Sequence, residues 1–307
     1  MAVAGMTLGG VASYFTGLKV GSSASYYYTG AFDLRDAPLT GGGGSAAFAE
    51  REKVIRQMLS DHVPERFVPP ELIAAGPRII MIFDDIGLDR DAFDEIMSLP
   101  GPVTLSFLPY AKGLQPLVDE ARARGDAAML HLPMEPSGDA DPGPHAIMTG
   151  MSASALLREL NWNLNRFTGY IAVNNHMGSR LTRDEASMKT ILSVLNEKGV
   201  FFLDSLTTGD SVAAEAGRDV GEAVYTRDVF LDPDMGRETV VAQLALAERI
   251  ARETGFVVAI CHPRRDTLDI VGPWLTSAPA RGFKLDTIAA LPVIESAWRQ
   301  RQRMATK

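Results

Sequence analysis

Polar residues of the kind used in hydrolytic chemistry stand at the ends of short apolar runs. The pair Asp84-Asp85 follows the apolar run 79–83, and His262 follows the apolar run 257–261. Parallel strands that alternate with helices end at one face of their sheet, so residues at these ends are expected to share a site. The full set, which contains three of the five histidines, is Asp84-Asp85, His131, Asn174-Asn175-His176, Asp204-Ser205, Arg227-Asp228 and His262.

These residue types fit a metal-dependent hydrolysis. Asp oxygen and His nitrogen bind Zn²⁺ and related divalent ions, and a hydrolytic site uses about three protein ligands and keeps one position open. A second carboxylate can take the proton of the attacking water, and a His opposite can protonate the leaving group. Each residue has a structural alternative: Asp84-Asp85 could form a strand-end turn with a helix N-cap, and each His could be a hydrogen-bonded structural residue. The set as a whole favours a hydrolytic metal site.

The chain around these residues alternates β-rich runs with helical patterns. Strands are predicted at 78–83, 103–107, 127–132, 170–173, 200–203, 222–225, 256–261 and 283–285, and helices at 91–98, 114–124, 153–167, 183–198 and 237–253. Nearly continuous apolar strands between amphipathic helices are typical of a parallel sheet that is covered on both faces. Eight such strands favour a closed or nearly closed (β/α) barrel over an open doubly wound sheet.

Composition and charge exclude several classes of protein. The 307 residues carry 30 Lys+Arg against 38 Asp+Glu, and this net charge of −8 argues against nucleic acid or an anionic membrane surface as the main partner. The single cysteine, Cys261, excludes a disulfide scaffold. The glycine-rich fingerprints of dinucleotide-binding and P-loop proteins are absent from the sequence.

The first fifty residues differ in composition from the remainder. Residues 2–18 are uncharged and moderately apolar, but they are short for a membrane-spanning helix and no basic residue precedes them. They are either a poorly ordered leader or a degraded export signal or anchor. A glycine run at 41–44 and a short helix at 46–59 are expected to follow. We therefore predict a leader, linker and short helix at 1–76, one barrel domain at 77–294, and a tail at 295–307.

Six stretches of the sequence, in order, resemble those of a known family. The first, Ile79–Gly87, is similar to the [TS]-F-D-D-G opening of carbohydrate esterases with the polysaccharide deacetylase (NodB-like) fold. More specifically, the chain resembles the divergent polysaccharide deacetylase family of bacterial envelope proteins. The resemblance implies a distorted (β/α) barrel of about seven strands and, in active relatives, a divalent metal, expected to be Zn²⁺, that serves to remove acetyl groups from glycans. The other five stretches are His131–Pro136, Asn174–Ser179, Phe202–Ser205, Arg227–Asp232 and Ile260–Pro263.

The resemblance also implies roles for both Asp residues and for His262. In the typical deacetylase the first Asp of the pair is the general base and the second binds the metal, which implies these roles for Asp84 and Asp85. Consecutive strand residues point to opposite faces, so both can reach one site only if the chain turns at the strand end, where Gly87 favours a turn. The late Leu-x-His motif of the family makes His262 the candidate general acid. The Arg-x-Pro-Tyr motif, which supplies a backbone oxyanion donor, has no clear match.

The second metal-binding motif departs from the family pattern. The typical His-x-x-x-His motif supplies two ligands, but here Glu135 replaces the second His after His131. His176 is the candidate that completes the ligand set with Asp85 and His131, and Glu135 is the alternative. The remaining polar residues are predicted to bind substrate, and these are Glu135, Asn174, Asn175, Asp204, Arg227 and Asp228.

Two functional classes follow from this pattern. The first is a metal-dependent hydrolase that removes acetyl (N- or O-acyl) groups from an envelope polysaccharide. The second is a glycan-binding or scaffold protein of the cell envelope, which keeps the barrel and the pocket without turnover; the missing His-x-x-x-His motif favours it. The resemblance implies a polysaccharide partner and a periplasmic or otherwise extracytoplasmic location, and the N-terminus offers a tether to the membrane.

Overall fold

A computed structural model describes residues 76–234 and 236–296 of the chain. The predicted leader, linker and short helix before residue 76, and most of the predicted tail, lie outside these residues. In the described ranges, no helix has both the length and the apolar character that a membrane crossing requires.

Strands and helices alternate along the described chain. The strands are β1 Arg78–Ile86, β2 Thr104–Phe107, β3 Ala127–Met134, β4 Tyr170–Met177, β5 Phe201–Asp204, β6 Val224–Thr226, β7 Val229–Phe230, β8 Phe256–Cys261 and β9 Lys284–Asp286. The helices are α1 Arg90–Ser98, α2 Leu114–Arg124, α3 Ala153–Leu164, α4 Glu185–Lys198, α5 Ala213–Val220, α6 Arg237–Thr254 and α7 Arg265–Ser277. A further helix occupies residues 290–296.

The strands form one parallel sheet in the order β6-β5-β4-β3-β2-β1-β8-β7, and β9 also pairs with β1. Among the described residues no pairing joins β6 to β7, so the sheet curls without closing. This confirms the predicted distorted (β/α) barrel. The eight predicted strands correspond to β1–β6, β8 and β9, and the two-residue β7 is additional.

Strand β1 shows how the sheet is buried on both faces. Its residues from Ile79 to Phe83 are fully buried. Ile79, Met81 and Phe83 pack with the surrounding helices in one apolar cluster, which includes Phe93 of α1. Ile80 and Ile82 belong to a second cluster inside the barrel. The run is therefore continuously apolar because both faces are covered.

The interior of the barrel changes from apolar to polar along the strands. The second cluster includes Ile288, Leu291 and Ile294, from the segment after β9, and the Ile288 amide donates to Thr104 Oγ1 at the start of β2. At the carboxyl ends of the strands the buried residues include Asp84, His131 and other polar groups. The apolar half of the barrel interior holds the strands together, and the polar half, at their carboxyl ends, contains the candidate site.

Candidate metal centre

Asp84 and Asp85 reach the same site because β1 is irregular at its carboxyl end. The pairing of β1 with β2 shifts in register between Phe83 and Ile86, and Asp85 adopts a φ of 60° there. In a regular strand these neighbours would face opposite sides of the sheet, whereas an extra residue re-aims a side chain. The turn expected at this strand end is therefore present, and Asp85 itself makes it.

Gly87 follows this turn and is held in close contact with the next β–α loop. Its φ is +112°, and a Cβ built on it would lie 2.6 Å from Leu114 Cδ2 and 3.0 Å from Ala111 Cβ. We expect Gly87→Ala to lower the free energy of unfolding by about 1–3 kcal/mol, through backbone strain and crowding together. Denaturant unfolding measures the loss. Gly113→Ala is the control, because Gly113 has a φ of +67° with open space around it; equal losses in both variants would contradict the crowding.

Three side chains meet around one buried carboxylate oxygen. His176 Nδ1 lies 2.9 Å from Asp85 Oδ1, and His131 Nε2 lies 3.3 Å from the same atom. One ligand atom from each of the three residues lies within 4.8 Å of the other two. Asp85 Oδ1 is buried, and neither nitrogen meets it with the geometry of a hydrogen bond. A buried acceptor left unsatisfied between two imidazoles fits a divalent cation held by one oxygen and two nitrogens.

Asn174 determines which nitrogen of His131 faces this point. Asp84 Oδ1 can only accept, so the Asn174 amide nitrogen donates to it at 2.9 Å and the amide oxygen faces His131. His131 Nδ1 lies 2.8 Å from that oxygen and must therefore be the donor. In the neutral imidazole the lone pair is then on Nε2, the atom beside Asp85. Metal-binding histidines are commonly oriented in this way, by a hydrogen bond from the other ring nitrogen.

The charges of the site keep Asp85 ionised. Burial alone raises the pKa of this carboxyl, but the neighbouring His131 and His176, together with His262, outweigh burial and hold the pKa below its ordinary value. Burial lowers the pKa of His131, yet the carboxylates of Asp84 and Asp85 raise it above the ordinary histidine value. A carboxylate that remains charged in a half-buried position is suited to binding a cation.

His262 approaches the same carboxylate from β8, on another side of the site. Its Nε2 lies 3.7 Å from Asp85 Oδ2, while its Nδ1 lies 3.1 Å from the carboxylate of the buried Asp232. The other Asp232 oxygen accepts from the His262 amide and from the Thr267 hydroxyl, both at 3.0 Å. Burial lowers the pKa of His262, but Asp232, with Asp85 and Asp84, raises it above the usual value. Asp232 therefore orients the imidazole and favours its protonated form.

Asp232 contacts the predicted site residue His262, and the sequence pattern did not single it out. It is the last residue of the Arg227–Asp232 stretch that resembles the family. The feature of the sequence that could have identified it is its position one helix and one strand before His262. Neighbouring parallel strands β7 and β8 bring the two together, with the Leu231 amide donating to the Ile260 carbonyl at 2.8 Å.

Glu135 does not join the three ligand atoms. Its carboxylate accepts from the amide and hydroxyl of Thr149 and pairs with Arg180 at 3.1 Å. The residues brought together are therefore Asp85, His131 and His176, and of the two alternatives for completing the set the geometry favours His176.

The other residues predicted to bind substrate also have hydrogen-bond partners within the protein. Asn174, Asn175 and Asp204 are almost completely buried. Asn175 bonds to the Met177 carbonyl and the Ser205 amide, and Asp204 accepts from the Leu206 amide and the Ser211 hydroxyl.

The side chains of Arg227 and Asp228 likewise form hydrogen bonds with backbone groups of neighbouring segments. Arg227 donates to the carbonyls of Ser205 and Leu206, and Asp228 accepts from the Val258 amide. The polar atoms of all five of these residues hold the strand ends, and their direct contact with substrate stays a prediction. The five are Asn174, Asn175, Asp204, Arg227 and Asp228.

Two known proteins are similar in sequence to about two thirds of this chain. An uncharacterised protein of Haemophilus influenzae is 31% identical over 205 residues, which cover 67% of this chain and 73% of the relative. The uncharacterised protein YibQ of Escherichia coli is 26% identical over 207 residues, which cover 67% of this chain and 65% of YibQ.

The fold and the sequence also match known proteins at the level of structure and family. The crystal structure of an uncharacterised protein of Agrobacterium tumefaciens, ATU2773, has a TM-score of 0.67 and 25% identity, and the match covers 70% of this chain and 89% of that one. The family model described as divergent polysaccharide deacetylase matches residues 81–291, which include the barrel strands β2–β9 and every residue of the candidate site. Because the matched segment is more than half of the sequence, the chain belongs to the divergent polysaccharide deacetylase family.

Proposed function

We propose that this protein is a metal-dependent hydrolase that removes acetyl groups, as N- or O-acyl groups, from a polysaccharide of the cell envelope. The observation that carries the proposal is the convergence of Asp85, His131 and His176 on one point, with Asp84 and His262 beside it. Three ligands from three strands leave room for a substrate at the ion, as a catalytic site requires. The family description supports a polysaccharide as the substrate.

The ion would be held by Asp85, His131 and His176, and Zn²⁺ is the expected ion because of this ligand set. When bound, a divalent ion supplies a Lewis acid that polarises the acyl carbonyl and makes water easier to deprotonate.

Asp84 is placed to act as the general base. Its Oδ1 accepts from Asn174, and its Oδ2, which lies 3.7 Å from His131 Nε2, has no hydrogen bond among the described residues. The hydrogen bond from Asn174 fixes the carboxylate, so Oδ2 is positioned to take the proton from the attacking water.

His262 is placed to act as the general acid. Asp232 accepts the Nδ1 proton, so the Nε2 proton of the imidazolium is the one directed into the site. Although burial lowers the pKa of His262, the carboxylate of Asp232 raises it above the ordinary histidine value, which favours the protonated form. Nε2 can then donate to the departing amine or alkoxide, while Asp84 works from the side of His131.

Acetate release from defined glycans tests the proposal. The zinc-supplemented full chain is incubated with N-acetylchitotetraose and, separately, with an O-acetylated xylo-oligosaccharide, and acetate is quantified. We expect release from at least one of them. Release by Asp85→Ala at the wild-type rate would show that the activity comes from elsewhere.

The contact between Asp232 and His262 predicts a specific change in pH dependence. The acid must be protonated to act, so activity declines as pH rises through the pKa of His262. Asp232→Asn removes the charge that raises this pKa, and we expect the alkaline limb of kcat/KM to move to lower pH and the rate at neutral pH to fall about 10-fold. Bound metal should be unchanged. An alkaline limb at the wild-type position would contradict the role of Asp232.

A further inference from the structure

An apolar groove of about 250 Å³ lies on the outside of the barrel, between helices α6 and α7. The indole nitrogen of Trp274 donates to Glu248 at 2.8 Å, and Arg281 pairs with the same carboxylate at 3.1 Å. The charged residue of the lining is therefore already engaged within the protein, and the surface that remains is apolar. The lining residues are Val241, Leu244, Ala245, Glu248, Ile270 and Trp274.

Val241 leaves apolar surface in water at one end of this groove. It is 55% exposed, whereas Val240 and Ala247 of the same helix are buried in the core. The hydrophobic effect favours covering an exposed valine together with the apolar walls beside it. The groove therefore suits an apolar occupant.

The size of the groove favours an occupant from the same chain. A stable interface between two proteins involves about 20–30 residues on each side, whereas six residues line this groove. A segment joined to the same chain needs much less contact, because its effective concentration at the groove is on the order of millimolar. A tethered segment is thus favoured over a second copy of the protein.

The barrel begins beside the C-terminal ends of the two helices. The Arg78 amide, at the start of β1, donates at 2.9 Å to the carbonyl of Gly255, the residue after α6. Arg252, in the last turn of α6, donates at 3.0 Å to the carbonyl of Arg281, which follows α7. The residues that precede Gly76 therefore join the barrel where α6 and α7 end.

The sequence before Gly76 carries apolar residues at distances that match the groove. Glu248 lies about 10 Å from the end of α6, and Val241 lies about 10 Å further along the helix. An extended chain advances about 3.3 Å per residue. Leu72-Ile73 therefore comes within reach of Glu248, and Phe67-Val68 comes within reach of Val241.

We propose that residues 67–73 of this chain occupy the groove between α6 and α7, with Leu72-Ile73 toward Trp274 and Phe67-Val68 toward Val241. Because α6 follows β7, it begins near the carboxyl ends of the strands. The residues before Phe67 then leave the barrel at the end that carries the metal centre. This inference does not depend on the proposed function.

Cross-linking of the full chain tests the docking. Ile73→Cys is combined with Ala245→Cys, since Ala245 is exposed in the groove, and a short bis-maleimide is added. The control pair is Ile73→Cys with Ser98→Cys, because Ser98 is exposed at the end of α1, which packs beside α7 outside the groove. The native Cys261 is buried and does not compete for the reagent.

We expect an intramolecular product from the pair with Ala245→Cys, identified by mass spectrometry of the tryptic peptides. Its yield should be at least about 5-fold greater than that of the pair with Ser98→Cys. Equal yields, or no product, would overturn the proposal. A product of twice the chain mass would also overturn it and would identify a second copy as the occupant.

Substitutions at two exposed valines give a second measurement. Val241→Asp places a charge in the groove, and Val293→Asp is the control, because Val293 is 68% exposed and does not line the groove. Chymotrypsin should cut the full wild-type chain slowly after Phe67 and Leu72. Val241→Asp should accelerate these cuts about 10-fold, and Val293→Asp should leave them unchanged. The same rate in all three proteins would contradict docking at Val241.

Discussion

Asp85→Ala is expected to lose the divalent ion and the hydrolytic activity together. The carboxylate contributes the only oxygen of the three ligand atoms among the described residues, and its Oδ1 lies within 3.3 Å of both histidine nitrogens. Two imidazoles without a charged ligand bind a divalent ion weakly. Loss of the ion removes several kcal/mol of stabilisation of the reacting carbonyl, so we expect acetate release to fall on the order of 10³-fold or more.

Elemental analysis of purified protein and zinc titration of chelator-treated protein measure the first part of this prediction. The matched control is Asp84→Asn, a change at the adjacent residue, which should leave the ion bound. If Asp85→Ala retained one equivalent of metal with wild-type affinity, the proposed ligand set would be wrong. Thermal unfolding with and without zinc adds a readout that does not depend on activity, because zinc should stabilise the wild type and leave Asp85→Ala unaffected.

Asp84→Asn and His262→Ala should show the opposite combination, with metal retained and turnover lost. Each residue is needed free to move a proton, and neither is among the three converging ligands. Removal of a positioned acid or base costs on the order of 10²–10⁴-fold in rate. We expect this loss in kcat, with little change in the affinity for glycan, because both groups act mainly in the transition state.

The pH dependence of the two variants distinguishes the role of Asp84 from that of His262. His262→Ala should lose the alkaline limb of the pH profile, whereas Asp84→Asn should lose the acid limb. Hydrolysis by His262→Ala at the wild-type rate would exclude the acid assignment. Loss of metal from His262→Ala would instead make His262 a fourth ligand, although it is not among the three residues whose ligand atoms lie within 4.8 Å of one another.

The sheet could be predicted from the sequence because its strands are apolar on both faces. Runs such as Ile79–Phe83 and Val257–Cys261 are fully or almost fully buried. A continuous apolar run of this kind can be recognised in the sequence without tertiary information. Three helices were not predicted, namely α5, α7 and the helix at 290–296. α7 contains Pro273 and Gly272, and the short α5 contains Gly217, where a Cβ would lie 2.5 Å from Val224 Cγ2. Packing, rather than helix propensity, maintains these two elements.

The site was predictable in its residue types and only partly in its roles. Asp85, His131 and His176 were identified from their places at strand ends, because parallel strands must bring those ends together. The role of Asn174 was not accessible, since it depends on the pairing of His131 with Asn174 across β3 and β4. The bulge that turns Asp85 into the site, and the contact of Asp232 with His262, likewise depend on strand register.

The most direct test of the central claim is acetate release measured before chelation, after chelation and after zinc is restored. The account predicts that the wild-type chain releases acetate from an acetylated glycan, loses this activity on chelation, and recovers it with about one equivalent of zinc. A wild-type chain that binds both zinc and glycan but never releases acetate would contradict the account, and a glycan-binding protein of the envelope would then be the correct description.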